Sequence, residues 1–239
     1  MNRFFKILLV SVILITSALL FAACKPQIQG GGNIVRKEIE VAPFSVLDAS
    51  GSYRVYLTHG AEEKVIVEAD SALFEYLHIR TTGRKLQLRS QSIDFTDLHL
   101  QVFITFTHLD RISLSGASEV AGHEQLSFNR LSIKCSGASN VDLKLNAQRL
   151  NVELSGASQA NLNGTADRLQ ADLSGSSKFF ASGFLVNHAR VATSGASHAS
   201  LHVAGKLDAR ASGASSITYY GNPDVSSSIS GASTVNRIN

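Results

Sequence analysis

The chain has 239 residues, 44% of them hydrophobic but only 7% aromatic and none tryptophan, so a core of useful size has to be built from small and β-branched side chains. Twenty-two basic residues against nineteen acidic ones leave a formal charge of +3, too little for nucleic-acid binding by phosphate neutralisation. Two cysteines are too few for a disulfide scaffold or a structural zinc site, and three prolines beside eighteen glycines exclude collagen-like and proline-rich linkers.

Arg3 and Lys6 precede an apolar run from Ile7 to Ala23, the order of a secretion signal. The tetrapeptide Phe21-Ala22-Ala23-Cys24 resembles a bacterial lipobox, although Phe21 stands where leucine is usual. That resemblance implies a signal peptide over 1–23, cleavage before Cys24 and acylation of Cys24 with palmitate or a similar chain. An uncleaved membrane-spanning anchor is the alternative. Loss of Arg3 and Lys6 lowers the basic count from 22 to 20 against 19 acids, so the exported body is close to neutral. Lys25 stands where an aspartate would retain a Gram-negative lipoprotein in the inner membrane, and the sorting rule then points to the outer membrane, on either face. Residues 24–32, glycine-rich and almost uncharged, read as a flexible tether.

Residues 33–110 are more strongly charged but still alternate. Tyr53/Val55/Leu57, Val65/Val67/Ala69, Leu86/Leu88 and Leu98/Leu100/Val102/Ile104/Phe106 each predict a strand with one apolar face. Turn signals at His59-Gly60, Glu62-Glu63 and Thr82-Gly83-Arg84 separate them, and residues 72–77 suggest one helical turn. The region reads as irregular leading β coils that also cap the end of a solenoid.

Over 111–239 a tetrapeptide Ser-Gly-Ala/Ser-Ser begins at Ser115, Ser136, Ser155, Ser174, Ser194, Ser212 and Ser230, at intervals of 21, 19, 19, 20, 18 and 18 residues. With its first serine as position zero, position −3 holds residues such as Ile112, Ile133 and Val152, and position −1 holds Leu114, Cys135 and Leu154. Position −2 between them is polar in Ser113, Lys134, Glu153 and Asp172, the period of two of a half-buried strand. Alternation resumes beyond the tetrapeptide with Val120, Val141 and Ala160 at +5. Such a unit is too short for a propeller blade and suits one coil of a parallel β-solenoid. The recurring glycine fits a corner that needs positive φ or close backbone approach, and the serines fit hydrogen bonds to backbone or to the next coil. A row of nucleophilic serines is disfavoured because the motif supplies no base.

The lipoprotein signal, Phe44, Val46 and Ser50-Gly51-Ser52, the Leu86-Gln87-Leu88 strand, the segment from Leu109 to Ser118 and the serial Ser-Gly-Ala-Ser coils together resemble the autotransporter adhesin head, GIN domain family, over Asn33 to Asn239. The resemblance implies an all-β fold, a right-handed parallel β-helix, and an adhesive role with no catalytic motif to carry over. No β-barrel translocator follows the repeats, so in this reading lipid anchoring takes its place.

Position −6 holds Arg130, Arg149, Arg168, His188 and Lys206 in successive coils, after Leu109 and before Asp224. Stacking makes them a basic ridge, a candidate site for acidic polysaccharide or lipopolysaccharide, since arginine forks suit carboxylate, sulfate and phosphate. The bland reading is a solvated charge row at a turn. His198 and His202 share a strand face but lie about 13 Å apart, too far to share a metal, so neither metal nor cofactor is expected. Cys135 sits in an inward column and reads as a buried, inert thiol. The competing function is a polysaccharide lyase or hydrolase on a β-helix. Its acids would come from Glu62, Glu63, Glu68, Asp70, Asp94 and Asp97, since Asp142, Glu153, Asp167 and Asp172 fall in different columns. The expectation is a non-catalytic envelope lipoprotein whose partners are the membrane, through its lipid, and an acidic glycan or an envelope protein.

Overall fold

A computed structural model describes residues 32–90 and 99–238; the signal, Cys24, Asp94 and Asp97 lie outside them. The described chain is a β-solenoid of about seven turns. Its regular part consists of β9 (Glu119–Cys135), β10 (Asn140–Leu154), β11 (Gln159–Leu173), β12 (Lys178–Thr193) and β13 (His198–Ala211), each parallel to the next. It continues in β14 (Ser216–Tyr220), β15 (Asp224–Ile229) and β16 (Thr234–Arg237).

Each long strand covers two faces of the coil because its alternation breaks once. In β10, Val141, Leu143 and Leu145 point inward, Gln148 and Arg149 are both exposed, and Leu150, Val152 and Leu154 point inward again. Two successive outward residues turn the strand through one corner, and the Ser-Gly-Ala-Ser tetrapeptide turns the other. The result is a long face before the first corner and a six-residue short face after it.

At the tetrapeptide corner the glycines form a column. Gly156 has φ +70°, and a Cβ there would stand 2.7 Å from the Gly137 carbonyl oxygen and 3.1 Å from its nitrogen. Both the positive φ and the approach of the preceding coil exclude a side chain. The last serine of each corner from Ser118 to Ser215 is buried, and its hydroxyl donates to the carbonyl of the first: Ser139 to Ser136 at 2.7 Å, Ser158 to Ser155 at 2.8 Å, Ser177 to Ser174 at 2.9 Å. The corner thus satisfies its own buried hydroxyl. Among the corner serines described, Ser177 and Ser197 link hydroxyl to hydroxyl at 3.4 Å and Ser215 reaches the Thr193 hydroxyl at 2.9 Å, so the serines serve the backbone far more than one another.

The unequal repeat lengths are absorbed on the long face. In the 21-residue interval, Gly122 pairs with Leu143 and Gln125 with Lys144, so His123 and Glu124 are extruded as a bulge. The next shift lies between Asn161 and Gly164, opposite Phe180 and Phe184. The short face keeps one register throughout, from Arg130↔Arg149 to Cys135↔Leu154 and onward.

The leading region holds one true coil and a cap. β2 (Val46–Gly51) and β3 (Arg54–His59) flank a Ser50-Gly51-Ser52 corner and pair in parallel with β8 (Arg111–Gly116) and β9. Next outward, β6 (Lys85–Ser90) lies parallel on β2 and β7 (Leu100–Phe106) parallel on β3, and only beyond these does the pairing turn antiparallel: β4 (Lys64–Asp70) on β7, β1 (Ile34–Ile39) on β4, and β5 (Leu77–Thr82) on β6. The helical turn lies at Ser71–Leu73, with the buried Asp70 carboxylate accepting from the Ala72 and Gly32 amides. Outer-edge strands β1 and β5 carry Arg36, Lys37, Glu38 and Arg80, charges that guard an exposed sheet edge.

Candidate binding surfaces of the solenoid

The five residues at position −6 come together. Arg130 pairs with Arg149, Arg149 with Arg168, Arg168 with His188 and His188 with Lys206, all exposed. They occupy the convex corner where alternation breaks, so each side chain projects into solvent about 5 Å from the next. Among the described residues Asp167 is the one carboxylate ion-paired with the row, 3.6 Å from Arg168 Nε and 4.0 Å from His188 Nδ1, and Arg130, Arg149 and Lys206 have no ion-pair partner. Leu109, the first residue of this column, is buried, and Asp224 ends it beside Lys206.

A second surface was not visible in the sequence. Along the short face, beside the tetrapeptide corner, runs an open groove of about 860 Å³. Its walls are the outward residues at −2 and 0, and its floor is the backbone at −1. Each short-face strand from β9 to β13 ends one residue before the first serine of the corner, and the open space lies between the two outward columns. The first serines of the corners donate inward, Ser136 to Leu114 O, Ser155 to Cys135 O and Ser212 to Thr193 O, each at 3.3 Å.

The remaining candidates are dispersed. Glu63 accepts from Thr107, Glu68 contacts His99 at 2.9 Å, and Asp70 caps its turn. Among the described residues no three His, Cys, Asp or Glu side chains are placed to hold a metal ion. His198 Nδ1 lies 2.7 Å from Ser216 Oγ, while His202 packs against Tyr220. Cys135 is 3% exposed, and burial pushes its thiol up to about 12. On the long face Tyr56 stacks between Phe103 at 5.2 Å and His123 at 5.7 Å, with the Arg36 guanidinium over Phe103. Those ring faces cover one another, as in a cross-strand ladder.

A stacked parallel solenoid with a polar flank and no assembled catalytic cluster among its described residues defines a class of scaffold that presents long surfaces. The family described as "Putative auto-transporter adhesin, head GIN domain" matches residues 43–223, and the chain belongs to it. Similar solved structures include a "putative adhesin" from Bacteroides fragilis, 24% identical over 88% of this chain and 100% of that one with a TM-score of 0.82. A "Putative lipid binding protein" from Parabacteroides distasonis is 21% identical over 90% of this chain and 100% of that one, TM-score 0.72. A further "putative adhesin", from Parabacteroides merdae, is 20% identical over 89% and 99%, TM-score 0.68. At these identities they show the fold. No curated protein sequence matches the chain.

Proposed function

We propose that the protein is a non-catalytic, adhesin-like lipoprotein of the Gram-negative cell envelope, held at the outer membrane through acylated Cys24, whose ridge binds acidic polysaccharide. The adhesin-like role is that of its family; the ligand class is read from the corner. The carrying observation is the in-register column Arg130, Arg149, Arg168, His188 and Lys206, three of whose members have no carboxylate partner among the described residues. Like charges at coil spacing repel, and a polyanion laid along the axis relieves that repulsion while releasing counterions. The three successive arginine forks suit carboxylate or sulfate groups.

The test is retention of the whole protein, in mild detergent, on polygalacturonate and on a neutral polymer at two salt concentrations. Binding to the acidic polymer should fall with salt and drop about tenfold or more when Arg130, Arg149 and Arg168 are replaced together by Ser. Unchanged binding in that variant sinks the ridge. Vesicles of anionic lipid serve as the comparison ligand: stronger, ridge-dependent retention on them would assign the row to a phosphate headgroup instead. Release of cleaved polymer in the same tubes would favour the enzyme.

A further inference from the structure

We propose that the groove on the short face is a second binding site, and that it takes a linear, uncharged, hydroxyl-rich glycan laid along the solenoid axis. The proposal does not depend on the ridge, which occupies the opposite corner of each coil.

Length argues first. The wall at −2 runs through Asp48, Ser113, Lys134, Glu153, Asp172 and on to Ser228 in continuous register. Seven steps of about 4.8 Å make a trough of about 34 Å, far longer than a monomeric metabolite and suited to a polymer. The step is also close to the length of one sugar unit in an extended chain, so equivalent contacts can recur from coil to coil.

Charge argues second. The lining carries two cations, Lys134 and Arg210, against three carboxylates, Asp48, Glu153 and Asp172, so it does not attract a polyanion. Most of this charge is already spent. Asp48 is held by Arg89 at 2.8 Å and Lys85 at 3.5 Å, Glu153 by Lys134 at 2.7 Å, and Arg210 leans on Asp208 at 3.5 Å. Asp172 alone among these carboxylates has no cation; it accepts from Gln170 Nε2 at 3.0 Å and keeps further acceptor capacity.

Hydrogen-bond polarity argues third. Ser136, Ser155, Ser194 and Ser212 spend their protons on carbonyls of the preceding coil, so what they offer the groove is lone pairs. Together with Asp172 they present acceptors, while Ser113, Ser115, Ser174, Ser228 and Ser230 line the same groove with hydroxyls that make no such bond among the described residues, a mixed lining that matches a ligand whose own hydroxyls both donate and accept. An acyl chain would desolvate those acceptors without replacing their partners. An extended peptide cannot add as a strand, because the backbone on the floor is already paired on both sides within the sheet. A neutral glycan meets all three requirements.

Calorimetry on the whole protein in mild detergent tests this with short and long members of the linear xylo- and cello-oligosaccharides, and polygalacturonate as the charged comparison. Affinity should rise with oligosaccharide length and be indifferent to salt. It should fall about tenfold in Ala192→Trp, which fills the trough from outside the core, and be measurably weaker in Asp172→Asn. Circular dichroism and an unchanged thermal midpoint check that both variants are folded. The combined Ser replacement of Arg130, Arg149 and Arg168 should leave neutral-glycan affinity as it was. Absence of binding by every neutral oligosaccharide, or binding that Ala192→Trp leaves intact, overturns the groove. Loss in the arginine variant alone would move the neutral ligand to the ridge. Acidic-polymer binding is read separately, so either site can fail without the other.

Discussion

Gly156, Ser158 and Leu154 lie within five residues of one another and answer to different forces. Ala at 156 must accept positive φ and displace the Gly137 carbonyl, a strain of about 1–3 kcal/mol. Ser158→Ala removes a buried hydroxyl that reaches Ser155 O at 2.8 Å, worth about 1 kcal/mol. Leu154→Ala empties an inward position that is 2% exposed and should cost about 2–5 kcal/mol. Its neighbour Glu153, exposed and paired with Lys134 at 2.7 Å, should lose less than about 1 kcal/mol on the same change. Denaturant unfolding of the four variants orders them, and equal losses at 153 and 154 would contradict the strand facing. The inward column in which Leu154 stands also explains Cys135. Its raised thiol stays protonated while an unfolded one ionises, so the stability this burial contributes is full below the unfolded value and declines as pH rises toward about 12.

Between corners, the coil is the unit that can be exchanged. Leu154 and Leu173 occupy the same column one coil apart, so deleting residues 155–173 joins equivalent positions and leaves every neighbouring register intact. Solenoid stability is close to a sum over nearest neighbours, and the shortened protein should keep its far-ultraviolet spectrum and unfold at a somewhat lower denaturant concentration. Deleting 155–163 instead removes a corner and part of the long face, leaves the end of the long face, Gly164 to Asp167, to follow Leu154 directly, and should abolish cooperative unfolding. Had the repeat been two independent strands, the two deletions would behave alike. The bulges belong to this scale as well: extra residues collect on the long face, where His123 and Glu124 are extruded, while the short face, which carries the groove wall, admits none.

Across the whole molecule, protection should be graded. Leu207, Ala209 and Ala211 in β13 are essentially buried, whereas Val225 and Ile229, their counterparts in β15, are 36% and 49% exposed. Amide exchange should therefore be slowest in β10 to β13 and fastest in β15 and β16, because local opening there uncovers little apolar surface. Uniform exchange from end to end would mean that the solenoid opens as one cooperative body.

Much of this architecture can be read from residue order, because its signals are local. Alternation with period two assigned Ile133, Val152 and Leu154 to the interior, and the spacing of the glycines located one corner of every coil. The same spacing brought Arg130, Arg149, Arg168, His188 and Lys206 into a single column, since any residues one repeat apart must stack in a parallel solenoid. What the tertiary structure alone decided depends on how distant strands meet. The second corner, at Gln148-Arg149, shows in sequence only as a pair of polar residues, and becomes a bend once both halves of β10 turn inward. The antiparallel pairing of β1, β4 and β7 joins segments tens of residues apart. The groove is likewise a tertiary feature: alternation tells which side chains point outward, whereas the open space between the −2 and 0 columns arises only once successive coils are stacked.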